Sequence, residues 1–388
     1  MFHDPKNWDC QWKMIGCPEP PDWKLDWKLI DSSVPGLKAL EACPQDPIWH
    51  AEGNVLIHTR MVCEQLTANP AWRKLNPTPR SILFAAALFH DICKPEVTQT
   101  IDGRIKAPKH AAKGARKARK MLYQKLLPSV NKSHFLVREQ IADLVLHHGL
   151  PLHDFELTRP ELKLIRISQY CRLDWVAMLS EADVRGRICD DKTGLLDRIE
   201  LFREFCKEQK CFYGPRSFAD HHTRFAYLNQ KWNDPNSKAY NGSRSRVTLM
   251  SGLPGSGKDS WIRQNLPDSP VISLDAIRRQ LKISPTANQG VVISKAKEKA
   301  LQLLRSGRSF VWNATNSTRL MRKRLIGLFS DYQAEVHIQY VEPSWENLIL
   351  QNRTRTHAVP AKAIDNLTAK LEPPKPNEAT KVSYWIGP

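Results

Sequence analysis

The 388-residue chain carries 58 Lys and Arg against 40 Asp and Glu, a formal net charge of +18, and is long enough for two domains with separate cores. No run of about 20 apolar residues occurs, which excludes a membrane-spanning helix, and the opening Met-Phe-His-Asp-Pro-Lys-Asn-Trp lacks the layout of a secretory signal. Nine cysteines, all before position 212 and never paired as Cys-x-x-Cys, argue against a disulfide framework or zinc ribbon and for reduced thiols in the cytoplasm.

Residues 1–30 form a Trp/Pro-rich segment with Trp8, Trp12, Trp23 and Trp27, expected to pack its indoles onto the domain that follows. Over 31–212 apolar residues recur at three and four spacings, in 55–66, 81–90, 115–127, 135–148, 162–181 and 194–206, which predicts an all-helical domain without sheet. Residues 213–245 are rich in Gly, Pro, Asn and Ser and read as a connector. From 246 to 388 short β-branched runs at 247–250, 270–274, 309–312 and 335–341 alternate with helical stretches at 258–265, 276–282, 290–306, 318–329 and 344–356. That alternation predicts an α/β domain with a parallel sheet and ligands at the C-terminal ends of its strands.

In the helical half, His90 and Asp91 end the apolar run Ile82–Phe89. Packing alone explains such a pair poorly, because buried polar groups need compensation. Further candidates are His58, His110, the His147-His148 pair before Gly149, and Asp183. Each histidine singly reads as an ordinary core or surface residue; the set reads as a metal site. Imidazole with carboxylate suits Mn²⁺, Fe²⁺, Co²⁺, Ni²⁺ or Zn²⁺, which bring bound water toward a pKa of ~7 and make hydroxide available to attack phosphorus.

The order His…His-Asp…His…His…Asp, with the runs Trp49-His-Ala-Glu-Gly-Asn-Val-Leu-Ile-His58-Thr-Arg and Phe89-His90-Asp91-Ile-Cys-Lys94, resembles the HD-domain phosphohydrolase superfamily, most of all HD domains of the tRNA-nucleotidyltransferase type. The resemblance implies one metal held by His58, His90, Asp91 and Asp183. Asp91 would bridge to a second metal completed by His110 and His148, and Lys94 would contact a phosphate. Of His147 and His148, the residue beside Gly149 fits the family pattern better.

In the second half, Val247-Thr-Leu-Met250 leads into Gly252-Leu-Pro-Gly255-Ser256-Gly257-Lys258-Asp259-Ser260 and then a helical stretch. Strand, glycine-rich turn and helix N-terminus cradle nucleotide phosphates, so the expected ligand is ATP or another NTP with Mg²⁺. The position after the lysine usually carries a hydroxyl that ligates Mg²⁺. Here Asp259 either touches the metal, directly or through water, or faces away and Ser260 acts in its place. Asp275, at a strand's end, can accept a proton from an attacking hydroxyl, and Arg278 one turn on can grip a phosphate; a helix N-cap beside an exposed arginine is the plainer alternative. Thr315 and Asn316 end another strand, and Arg319 and Arg322, three apart, share a face of the next helix; all four are candidate acceptor contacts. Arg353 and Arg355, ahead of Val359-Pro360, suit a lid that neutralises charge on a transferring phosphoryl group.

Residues 246–388 look like the polynucleotide 5′-hydroxyl kinases related to the phage end-healing enzyme. That resemblance implies β- and γ-phosphates held by Lys258 and the loop amides, Asp275 as general base, Arg278 on the acceptor's neighbouring phosphate, and Arg353 with Arg355 as the lid. An HD domain followed by such a kinase is similar to bacterial HD-Pnk end-healing enzymes. The similarity implies a 2′,3′-phosphoesterase joined to a 5′-OH kinase, acting on RNA or DNA ends ahead of a ligase. The charge favours such a polyanionic partner, with Lys109–Lys120 and Arg319–Arg324 as its densest runs. Two other readings stand beside it: a nucleoside or sugar kinase fused to an HD nucleotidase, and an NTP-switched RNA-binding repair scaffold.

Overall fold

The computed structural model describes residues 12–127, 131–153 and 159–387; Trp8, at the start of the tryptophan-rich segment, lies outside them. The chain divides into two compact units, with the break after Arg216. Among the described residues no helix is long and apolar enough to cross a membrane.

The first unit is helical. Six helices build and wall its site: α1 (Val55–Ala68), α2 (Pro77–Phe89), α3 (His110–Met121), α4 (Lys132–His147), α5 (Leu173–Arg185) and α6 (Lys192–Glu208). Asn54 caps α1 by accepting from the Ile57 amide, and α1 turns Val55, His58, Thr59, Val62, Cys63 and Leu66 inward, the spacing of a single helix face. Every residue of α2 from Ser81 to Phe89 is buried, so α2 is the central rod, packed against α1, α4 and α5. The rod ends at His90 and Asp91, which places both residues inside the bundle.

The structure departs from the sequence pattern in two places here. The stretch 162–181 is two helices, Pro160–Ser168 and α5, because the amides of Tyr170 and Cys171 both close onto the Ile167 carbonyl and end the first. A hairpin pairs β1 (Gln99–Ile101) with β2 (Arg104–Lys106) where no strand was expected. Asp102 and Gly103 both take positive φ at its tip, as a two-residue primed turn requires. Ahead of the bundle, Trp23 packs edge-on against Trp72, under the guanidinium groups of Arg73 and Arg80 at 5.3 and 5.2 Å.

The second unit is a five-stranded sheet. In the order β4 (Val271–Ser273), β5 (Phe310–Asn313), β3 (Ser245–Ser251), β6 (Ala334–Glu342) and β7 (Lys381–Ile386), all neighbours are parallel. Helices α7 (His221–Leu228), α8 (Lys258–Asn265), α9 (Leu274–Gln280), α10 (Gly290–Arg305), α11 (Arg319–Asp331), α12 (Trp345–Arg353) and α13 (Ala361–Ala369) complete it. Val247 and Leu249 join Phe310, Trp312 and Phe329 in one core. Met250 joins Val311, Val341 and Ile262 of α8 in another. Covering both faces of a sheet in this way is the rule for parallel strands. The expected connector contains α7, capped by Asp220 and burying Phe225 to Leu228, and β7 adds an edge strand that the sequence pattern did not reveal.

Candidate active sites: a histidine–aspartate centre and a phosphate loop

In the helical unit the structure brings together all six expected metal ligands. α1 supplies His58, the end of α2 supplies His90 and Asp91, α3 opens with His110, His148 follows α4, and α5 carries Asp183. Gly186, just past α5, lets that helix approach α1 closely: a Cβ there would stand 2.9 Å from both the amide nitrogen and a methyl of Val62. This close contact sets Asp183 against His58, with Oδ1 3.0 Å from Nε2.

Asp91 divides its two oxygens. Oδ2 faces His90 Nε2 at 3.2 Å and His58 Nε2 at 3.9 Å, while Oδ1 faces His110 Nε2 at 3.5 Å, and His110 stands 3.4 Å from His148 Nε2. His58, His90 and Asp183 thus form one ligand group, and Asp91, His110 and His148 a second. Each histidine has its Nδ1 engaged. His90 meets the Ala87 carbonyl at 2.7 Å, His110 that of Ala107 at 2.9 Å, His148 that of Val145 at 2.8 Å, and His58 meets the Glu52 carboxylate at 2.9 Å. Such outer partners fix the tautomer that presents Nε2 to a metal. His58 Nε2, His90 Nε2 and Asp91 Oδ1 are buried and face only other groups of the cluster, in contacts not aligned as hydrogen bonds, an arrangement that otherwise costs stability. The donor set therefore fits a divalent transition metal, or two bridged by Asp91.

Three of these groups carry the charge state a ligand needs, whereas at His58 burial is outweighed by Asp183 and Glu52, which raise it. Burial alone raises the Asp91 carboxyl, but Lys94, His90 and His110 outweigh it and hold the group well below the usual range. Burial likewise opposes Asp183, which Arg187 and His58 hold well below its ordinary value. Burial, with the charges of His90 and His110, pushes His148 down to about 3, leaving it neutral and free to ligate.

Lys94 Nζ sits 2.7 Å from Asp91 Oδ2 and 2.7 Å from the Gln45 side-chain oxygen. His147 turns away, its Nε2 3.1 Å from the Tyr170 hydroxyl, so His148 is the residue of the pair that joins the cluster. Sequence reasoning gave no role to Glu52, which ties the Nδ1 atoms of His50 and His58 and the Ile188 amide together. It also missed Arg187, which clamps both oxygens of Asp183. His50 and Glu52 stand in the Trp49–His58 run, and Arg187 lies one helical turn past Asp183; those were the available signals. A pocket of about 740 Å³ opens over the cluster, with Lys94, Arg104, Lys106, Lys163, Arg187 and Arg198 in its lining.

In the second unit the phosphate loop leaves the C-terminal end of the central strand. Gly252 takes φ +147°, and a Cβ there would meet the Val341 carbonyl oxygen at 2.4 Å, so only glycine fits. Lys258, at the start of α8, folds its ammonium onto the carbonyls of Gly252 and Leu253 at 2.9 and 2.8 Å. Burial lowers it from 10.5 to about 8, while Asp259 and Asp275 raise it and Arg355 lowers it further. All three charged groups thus lie near enough to Lys258 to bias its charge. Ser260 Oγ accepts from Arg263 one turn on, whereas Asp259 Oδ1 accepts from the Asn313 amide at 2.6 Å. Asp275, in the first turn of α9, is 62% exposed and paired with Arg278, whose Nε also donates to Gln289.

Two of the expected acceptor contacts belong to the scaffold instead. Arg322 is fully buried, clamped by both oxygens of Glu378 at 2.7 and 2.8 Å, and donates to the Asn316 carbonyl. Asn316 is itself buried and donates to Met250 of β3 at 2.7 Å. The Arg322 guanidinium is thus committed within the unit, and the Asn316 amide nitrogen to β3. Thr315 is half-buried and gives its carbonyl to the Gly252 amide at 2.9 Å, while Arg319 stays exposed. Arg353 ends α12 and is exposed; Arg355 lies in the following turn. Asn352, which sequence reasoning missed, clasps the loop that carries Arg355 by bonding both backbone groups of Val359 while standing against Gly255.

Two known families account for these halves. The HD domain matches residues 54–174 and the AAA domain matches residues 247–374. The chain thus carries a helical HD-domain region followed by a parallel-sheet domain with a P-loop kinase fold. Asp183 lies beyond the HD match, and geometry alone attaches it to the cluster. Among solved structures, a candidate kinase from Chloroflexus aurantiacus J-10-fl is 16% identical over 37% of this chain and 89% of that one, with a TM-score of 0.31. No curated protein matches.

Proposed function

We propose that the chain heals broken nucleic-acid ends. The HD unit opens 2′,3′-cyclic phosphates or removes 2′- or 3′-phosphates, and the P-loop unit phosphorylates 5′-OH ends. The observation that carries this reading is the joining, in one chain of charge +18, of an HD-domain histidine–aspartate cluster and a kinase-type phosphate loop. A break that leaves a 2′,3′-cyclic phosphate and a 5′-OH needs both reactions before a ligase can seal it.

In the HD unit, His58, His90, Asp91, His110, His148 and Asp183 would hold the metal, which when bound would supply Lewis acidity and an acidified water. Lys94 neutralises charge on the phosphate under attack, and Arg104, Lys106, Lys163 and Arg198 in the pocket wall suit the flanking backbone. Water adds to phosphorus, the P–O bond to one ribose oxygen breaks and that oxygen leaves as a hydroxyl with a proton from the water; a second water adds in the same way, breaking the remaining ribose O–P bond and releasing inorganic phosphate and the second hydroxyl. In the kinase unit, Mg²⁺ bound with NTP supplies charge neutralisation at the phosphates. Lys258 and the amides of Gly255, Ser256 and Gly257 hold the β- and γ-phosphates, with Gly252 permitting the turn. Asp275 takes the proton of the 5′-OH as its oxygen attacks the γ-phosphorus, and the nucleoside diphosphate leaves. Arg278 and Arg319 contact acceptor phosphates, and Arg353 and Arg355 close over the transferring group.

The test incubates γ-labelled ATP with a 5′-OH oligonucleotide or a nucleoside, and separately follows phosphate release from an oligonucleotide ending in a 2′,3′-cyclic phosphate. Label in the oligonucleotide together with release from the cyclic end is the expected result. Label in the nucleoside alone would replace the polynucleotide acceptor with a small molecule. Free labelled phosphate with no labelled acceptor would favour a nucleotide-driven switch.

A further inference from the structure

P-loop enzymes commonly hold Mg²⁺ with a hydroxyl from the residue after the loop lysine and an aspartate at a strand end. Both positions carry different chemistry here. The residue after Lys258 is Asp259, and the last residue of β5, the strand directly beside the P-loop strand β3, is Asn313 rather than an aspartate. Asn313 is buried, and its amide donates to Asp259 Oδ1 at 2.6 Å. Ser260, the neighbouring residue able to supply a hydroxyl, is exposed like Asp259 but accepts from Arg263 one turn on instead.

We infer that the carboxylate and the neutral polar group of the kinase metal site have changed places: Asp259 on the phosphate loop provides the metal-facing charge, and Asn313 on the strand orients it. The inference rests on the reading of this unit as an Mg²⁺–NTP kinase. A carboxylate among phosphates is repelled unless a cation lies between them, and Lys258 already sits beside the loop carbonyls. Neutral Asn313 avoids a second anion there. An aspartate in its place would stand within hydrogen-bond distance of Asp259 with no proton to share, a like-charge pair that resists full ionisation. The exchange keeps one negative charge in the site and moves it onto the loop. Asn313 is a positioning residue in this account, because its amide bonds the carboxylate.

The exchange is tested by equilibrium binding of a fluorescent N-methylanthraniloyl-ATP, in Mg²⁺ and in EDTA, to the full chain and to Asp259→Asn, Asp259→Ser and the double variant Asp259→Ser/Asn313→Asp. The wild type should bind more tightly with Mg²⁺ than with EDTA. Both single variants should lose about tenfold or more of that enhancement while binding in EDTA stays equal or improves. The double variant, which recreates the common arrangement, should recover to within about threefold of wild type. Asp259→Asn keeps the side-chain shape, so its loss reports charge rather than folding, and thermal melting of each variant confirms this. Full Mg²⁺ enhancement in Asp259→Asn, or a double variant no better than Asp259→Ser, would overturn the exchange. A wild type that binds the nucleotide no better with Mg²⁺ than with EDTA overturns the kinase reading itself and the exchange with it.

Discussion

The two sites handle charge in opposite ways. In the helical unit the ligands are assembled and buried: His58, His90, Asp91, His148 and Asp183 are all at most 5% exposed, and each imidazole is fixed through its second nitrogen. In the P-loop unit several of the groups assigned to chemistry stand in the open: Asp275 is exposed and paired to Arg278 on its own helix, and Arg319 and Arg353 are exposed, while Lys258, Arg278 and Arg355 are half-buried. A metal centre built on helix interiors can be rigid, because its cargo is a small ion. A phosphoryl-transfer site built on loops at strand ends must admit a nucleotide and an acceptor and then close on them.

The sharpest way to break this contrast is to disable each site separately. His90→Ala or Asp91→Ala removes a proposed metal ligand. Phosphate release from a 2′,3′-cyclic end should fall by about a thousandfold or more, with 5′ phosphorylation within about twofold of wild type. Lys258→Ala or Asp275→Ala should give the reverse pattern. Assaying both reactions in all four variants, with circular dichroism for folding, decides it; joint loss of both activities in every variant would mean one composite site. Next in size is Arg322→Ala. It strands the Glu378 carboxylate, whose side chain is 4% exposed, and should cost about 3–5 kcal/mol of stability, read as an earlier urea transition of the sheet unit.

Arg322 also shows where sequence reasoning stops. Spacing of three put it on a face with Arg319, but spacing does not say which way that face points. Arg322 joins Ile326 and Phe329 on the buried side of α11, and its partner Glu378 lies 56 residues further on. Glu52 was hidden for the same reason, since it reaches an amide 136 residues away. His90 and Asp91 were legible because an apolar helix ending in His-Asp carries two polar groups into a core that packing cannot satisfy, while the grouping of His58, His110, His148 and Asp183 with them came from the family resemblance. The phosphate loop was legible because its glycines follow a strand. The β1–β2 hairpin escaped because three-residue strands leave no alternation to read, although Asp102-Gly103 was a turn signal. The exchange at Asp259 and Asn313 was half visible: the unusual loop residue was plain, but its partner 54 positions on emerges only when β3 and β5 lie side by side.

Glu52 tests whether the helical site's rigidity matters to the metal. Glu52→Gln keeps the shape but removes the charge that holds His58 Nδ1, and should weaken metal affinity about 10- to 100-fold in a competition titration against a chelating dye, leaving kinase activity unchanged. Unaltered affinity would make Glu52 purely structural. In the open site, pH is the corresponding probe. With Lys258 lowered to about 8, nucleotide affinity should fall as pH rises through that value, by at most about tenfold per unit. The stability of the nucleotide-free protein should run the other way. The unfolded chain binds more protons than the folded one between about pH 8 and 10.5, so stability rises with pH across that window. Lys258→Met should abolish both trends; flat affinity from pH 7 to 10 would place the lysine outside the phosphate site.

The smallest effect separates the two arginines of α11. Arg319 is exposed, so Arg319→Ala should leave the urea transition where it is, in contrast to Arg322→Ala. If its guanidinium meets an acceptor phosphate, its loss removes one released counterion. The slope of log affinity against log salt for a single-stranded 5′-OH oligonucleotide then becomes shallower by about 0.7. Affinity at low salt drops only severalfold, because one phosphate contact among many is a minor share of the total. Its backbone amide accounts for none of this change, since it donates to Glu372 and alanine keeps it. A salt slope equal to wild type would remove Arg319 from the acceptor path, leaving Arg278 as the arginine proposed for the acceptor's phosphates.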